Sequence, residues 1–118
     1  LFLVWKIIMP KDSPCFVYIT APSKKEANSI GELLVHQKLA ACVNIIDEMT
    51  SIYRWQGKIE KSAEFVIIAK THQILVGELC EKVKQIHSYE CPCIVSIPVE
   101  GGNHEFLDWI GEQVIENK

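Results

Sequence analysis

The stretch from Ala40 to Lys70, AACVNIIDEMTSIYRWQGKIEKSAEFVIIAK, decides the architecture. Residues 40–55 and 58–70 are two runs rich in β-branched and aromatic side chains, with Gln56-Gly57 between them. Glycine accepts the positive φ that a two-residue hairpin turn demands, so this pair predicts a tight hairpin. The first arm is expected to bend near Asp47-Glu48. The second arm ends in Phe65-Val66-Ile67-Ile68-Ala69, an apolar run that predicts burial on both faces. The hairpin is longer than one small sheet needs. Its edge and its apolar side chains require a cover, and pairing with neighbouring copies would supply one.

Upstream, Cys15-Phe16-Val17-Tyr18-Ile19-Thr20 reads as a strand closed by Ala21-Pro22. Ser23-Lys24-Lys25-Glu26 has the form of a capping box, in which Ser23 accepts from an early helix amide and Glu26 reaches back to the Ser23 amide. Ala27, Ile30, Gly31 and Leu34 then fall on one face of a helix reaching about Lys38. Downstream, Leu75, Leu79, Val83 and Ile86 mark a second helix over about 73–87. Tyr89 to Cys93 is a loop, and 93–99 is a strand ended by Pro98. Asn103 caps a last helix lined by Phe106, Trp109, Ile110 and Val114. The order β-α-β-β-α-β plus one helix predicts an α+β, ferredoxin-like sandwich with a long central hairpin and an extra C-terminal helix.

The chain has 118 residues, enough for one domain that needs no disulfide or metal staple. Residues 15–118 are expected to form that domain, with 1–14 as an N-terminal extension. Leu1 to Met9 is apolar, short and interrupted by Lys6, and it reads as a poor signal peptide. A formal net charge of −3 gives no basic footprint for nucleic acid or an anionic membrane, and no apolar run is long enough to span a bilayer. The five cysteines, an odd number, predict reduced thiols in the cytoplasm. No phosphate-cradling glycine loop, zinc-protease motif or nucleophile elbow is present, so no enzyme is expected. The single arginine, Arg54, lies in the hairpin and not in the first strand–helix loop, where an acylphosphatase-type enzyme would need it.

Six segments in order then resemble one family. They are Thr20-Ala21-Pro22, Leu39 to Ile45, Ser51 to Ile59, Lys70-Thr71, His87-Ser88-Tyr89-Glu90-Cys91-Pro92, and Phe106 to Ile110. Together, over about residues 15–112, they look like the CutA family of divalent-cation tolerance proteins. The resemblance implies a ferredoxin-like fold, a homotrimer with hairpins paired between protomers, and a role in tolerance of divalent metal ions, with copper the usual candidate. The family usually has Glu where this chain has Cys93, and Pro where it has Ser88.

These departures put His87, Glu90, Cys91 and Cys93 within seven residues. Thiolates and imidazole suit copper or zinc, so the expected metal donors are His87, Cys91 and Cys93, with Glu90 as a fourth and Cys42 as a poorer one. No resident cofactor is required. Tyr53, Arg54, Trp55, Lys70, Tyr89 and Trp109 are the polar and aromatic members of the recurring motifs. They are expected to form a ligand pocket or subunit interface, with Lys70 neutralising an anion or pairing with Glu90. This second set keeps open a PII-like or ACT-like trimer that senses a small anionic ligand between subunits.

Overall fold

The computed structural model describes residues 13–114, and the element order follows the expected one. Strand β1 is Pro14–Ala21, helix α1 Lys24–His36, strand β2 Cys42–Trp55 and strand β3 Lys58–His72. A single 3-10 turn, Gln73–Leu75, leads into α2 Val76–Ile86, followed by β4 Ile94–Pro98 and α3 His104–Val114. The sheet is antiparallel throughout, in the order β2-β3-β1-β4. Most of the expected extension, residues 1–12, lies outside the described residues, and β1 begins one residue ahead of the expected boundary.

Side chains alternate across the strands, and the two faces differ accordingly. Cys15, Val17, Ile19 and Ala21 of β1 and Ile67 and Ala69 of β3 point to one face. There they form a buried core with Ala27, Ile30 and Leu34 of α1 and Leu79 and Val83 of α2. Gly31 lets α1 approach the sheet, because a Cβ on it would stand 2.8 Å from Val43 Cγ2. The opposite face carries Phe16, Tyr18 and Thr20, and the residues registered with them: Val66, Ile68, Val95 and Ile97. Among the described residues α3 reaches one end of it, where Lys70 Nζ lies 5.7 Å from the Phe16 ring and 5.3 Å from the Phe106 ring. The expected burial of residues 65–69 on both faces holds in part: Val66 is buried on the open face and Ile67 and Ala69 on the helix side, whereas Phe65 and Ile68 are half-exposed.

The hairpin turn is as expected, with Gln56 at φ 49° and Gly57 at φ 79°, both left-handed as a type I′ turn requires. The bend near Asp47-Glu48 is a β-bulge: three steps from Ile46 to Met49 oppose two steps from Val66 to Glu64. It changes which residues share a face. Beyond it, Met49, Ser51, Tyr53 and Trp55 follow Ile46 on the open face, and the Tyr18 hydroxyl meets Met49 Sδ at 3.9 Å. An unbroken strand would have placed Arg54 there instead.

Three local expectations are corrected. Helix α1 stops at His36, because Lys38 turns left-handed at φ 58° so that the amides of Leu39 and Ala40 return to the Leu34 carbonyl and Leu39 enters the core. The second helix opens with the 3-10 turn, and Ile86 at its end is exposed beside Ser23, Glu26 and Ile30. The capping box is one-sided: Ser23 Oγ accepts from the Glu26 amide at 3.1 Å, but the Glu26 carboxylate turns away to the segment after α2.

Candidate functional site

That carboxylate anchors the site loop. Glu26 Oε2 accepts from the Ser88 amide at 2.9 Å and from Ser88 Oγ at 3.1 Å, and lies 3.3 Å from His87 Nδ1. The His87 ring is buried. Its Nε2 donates to the Thr20 carbonyl at 2.8 Å, and its Nδ1 accepts from the Tyr89 amide at 3.0 Å, which fixes the Nε2–H tautomer. This knot ties the start of α1, the end of β1 and the loop after α2 to one another.

Above it opens a cleft of about 570 Å³. The twisted end of the hairpin supplies Tyr53, Trp55, Ser62 and Glu64, and β1 supplies Thr20. The loop supplies Ser88, Tyr89, Glu90, Cys91 and Cys93. Glu64 holds the two sides together, since it accepts from Ser51 Oγ at 2.7 Å and from the Tyr89 hydroxyl at 2.9 Å. Burial, reinforced by the hydrogen bond and charge of Glu64, pushes the Tyr89 phenol up to about 12. Burial and the Glu64 charge also raise the Cys93 thiol, against a hydrogen bond with Thr20 that lowers it.

The cleft thus unites Tyr53, Trp55, Tyr89, Glu90, Cys91 and Cys93, drawn from both expected sets. The other expected residues lie elsewhere. His87 sits beneath the cleft with both ring nitrogens engaged, so neither faces a ligand. Cys42 and Lys70 pair at the register of Phe16, four strand residues (about 13 Å) from Thr20. Lys70 lies against Phe16 and Phe106, and no ion pair with Glu90 forms among the described residues. The bulge turns Arg54 to the face opposite Tyr53 and Trp55, and Trp109 stacks on Phe106 with ring centroids 5.7 Å apart. Among the described residues, no group of three or more His, Cys, Asp or Glu side chains is arranged to hold a metal ion. The expected five-donor set is therefore not assembled within one protomer.

Sequence reasoning missed Thr20, Ser62, Glu64 and Ser88 as cleft residues, and Glu26 as the anchor of the loop. Ser62 and Glu64 carried a signal, being polar at alternate positions of an otherwise strand-like run. Glu26 carried none, because its use in a capping box was equally consistent with its spacing.

A split βαβ sheet with two helices on one face, a second face only partly covered by the described residues and a cleft at the hairpin's end defines a ferredoxin-like protein whose hairpin extends past its own sheet. Residues 15–113 match the family described as CutA1 divalent ion tolerance protein. The chain is 52% identical over 99 residues to the divalent-cation tolerance protein CutA of Archaeoglobus fulgidus, covering 84% of this chain and 96% of that one. It is 46% identical over 96 residues to the protein of that name from Thermus thermophilus, covering 81% and 93%. A solved structure of the Archaeoglobus protein, described as periplasmic, superposes with a TM-score of 0.83 at 50% identity, covering 86% of this chain and 98% of that one. The Thermus structure superposes at 0.84 and 44% identity, covering 86% and 98%. The chain belongs to the CutA1 divalent ion tolerance family. These two relatives are named as tolerance proteins and not as enzymes, and no helix among the described residues is long and apolar enough to cross a membrane.

Proposed function

We propose that the chain works as a homotrimer that takes up a metal cation in the hairpin-end cleft, as its contribution to metal tolerance. The observation that carries this reading is the charge of the cleft: its lining has two carboxylates and two thiols and no Lys, Arg or His. Such a lining attracts a cation and repels an anion. A sensor of a small anionic ligand would need a basic side chain there, and the bulge and the register of Lys70 keep both candidates away. Copper and zinc are the ions that match thiol and carboxylate donors. The role needs neither a catalytic step nor a resident cofactor.

The trimer is supported by what the protomer leaves bare. On the open face Ile46, Val95 and Ile97 are each about half exposed, at 50–51%, and among the described residues β2 and β4 are unpaired sheet edges. A closed ring of copies covers these surfaces without generating a filament. Five unpaired thiols suit the reducing cytoplasm. Native mass spectrometry of protein purified without chelator, then titrated with copper and zinc, tests both parts. The expected result is a trimer carrying metal. A monomer at micromolar concentration overturns the assembly, and a trimer that takes up neither ion overturns the cation reading.

A further inference from the structure

The cleft is lined by four acidic or thiol side chains, Glu64, Glu90, Cys91 and Cys93, but no three His, Cys, Asp or Glu groups among the described residues are arranged to hold one metal ion. Zinc in proteins is almost always held by four ligands, and copper(II) prefers a tetragonal set of nitrogen and oxygen donors. The nearest imidazole, His87, is closed by the Thr20 carbonyl on one nitrogen and the Tyr89 amide on the other. Both oxygens of Glu64 already accept hydroxyl hydrogens, from Ser51 and Tyr89. What remains beside Glu90 is a matched pair, Cys91 and Cys93, which line the same cleft with Pro92 between them, are exposed and form no disulfide, the Cys93 thiol also sharing a hydrogen bond with Thr20.

Two residues apart, their Cα atoms stand within ~7 Å of each other even in a fully extended chain. Two metal–sulfur bonds of about 2.3 Å each, the zinc–thiolate length, fit within the reach of two such side chains. Soft thiolates are the donors that favour copper(I). The aromatic side chains of Tyr53, Trp55 and Tyr89 line the same cleft.

We propose that Cys91 and Cys93 form a two-thiolate site for a soft monovalent cation of the copper(I) class. The proposal rests on the cleft being a cation site and names the ion it selects. On uptake two S–H bonds break, two metal–sulfur bonds form and two protons pass to solvent. The metal stays in its +1 state and neither sulfur is oxidised.

The test uses the full chain, reduced and oxygen-free, competing with a chromogenic chelator for copper(I). Silver(I) serves as a second probe that undergoes no redox change, and zinc(II) serves as the divalent comparison. The expected result is one copper(I) held per chain. The C91S/C93S double variant, checked for unchanged circular dichroism, holds it at least about 100-fold more weakly, and silver behaves likewise. A C42S variant retains wild-type copper(I) affinity. Equal copper(I) affinity in wild type and the double variant overturns the proposal. Uptake of zinc(II) without copper(I) overturns the proposal and leaves the cation reading standing. Uptake of none of the three ions overturns both.

Discussion

The two faces of this sheet are made by the same strands and have opposite fates. On the helix-covered face, Val17, Ile19, Ile67 and Ala69 are buried within the protomer by α1 and α2. On the open face, their neighbours in sequence, Tyr18 and Ile68, are half-exposed, and Val95 and Ile97 are exposed. Both faces are apolar, so composition does not distinguish them. What distinguishes them is whether the chain has a helix left to cover each one. Helix α3 covers the Phe16–Lys70 end of the open face and the loop after α2 meets its hairpin end at Glu64, while Val95 and Ile97 stay exposed among the described residues. One face therefore forms the core of the protomer, and the other is the surface on which the proposed assembly rests.

Separate damage to the two faces breaks this comparison if it is wrong. The largest effect is expected from Ile97→Asp, which puts a carboxylate on the open face. Burying it unpaired between copies costs several kcal/mol per ion, so sedimentation should show monomers while circular dichroism keeps its native shape. A variant that stays trimeric would show that the open face is not the interface. Leu34→Ala acts on the other face, where the side chain is fully buried against the sheet. It should lower the free energy of unfolding by about 2–5 kcal/mol in denaturant titration, without changing the number of chains per assembly in native buffer.

The smallest effect sharpens the comparison at the cleft, which lies on the open face at the end of the hairpin. The Tyr89 phenol is held up to about 12, against an ordinary value of 10, so the fold favours its protonated form. That stabilisation is complete below pH 10 and is lost as pH rises from 10 through 12. Wild type should therefore lose stability across that window relative to Tyr89→Phe, which has no proton to release. Parallel losses in the two proteins would show that the Tyr89–Glu64 contact does not hold the cleft.

The order of elements was legible in the sequence because each rests on local chemistry. Gln56-Gly57 can take left-handed φ, Ser23 and Asn103 can cap helices, and the spacing of Ala27, Ile30, Gly31 and Leu34 makes one helix face. Even the bend at Asp47-Glu48 could be read. Its consequence could not, because a bulge of one residue reverses every side chain beyond it. That reversal put Tyr53 and Trp55 in the cleft and Arg54 outside it, and so left the cleft lining without a basic side chain. His87 tells the same story. Proximity in sequence made it a donor alongside Cys91 and Cys93, but the Thr20 carbonyl, 67 residues away, claims its Nε2. The sequence by itself determined the strands, the helices and the stock of donors in the loop. The tertiary structure alone decided which donors are free, because an imidazole or carboxylate already hydrogen-bonded in the fold must break that bond before it can bind anything else.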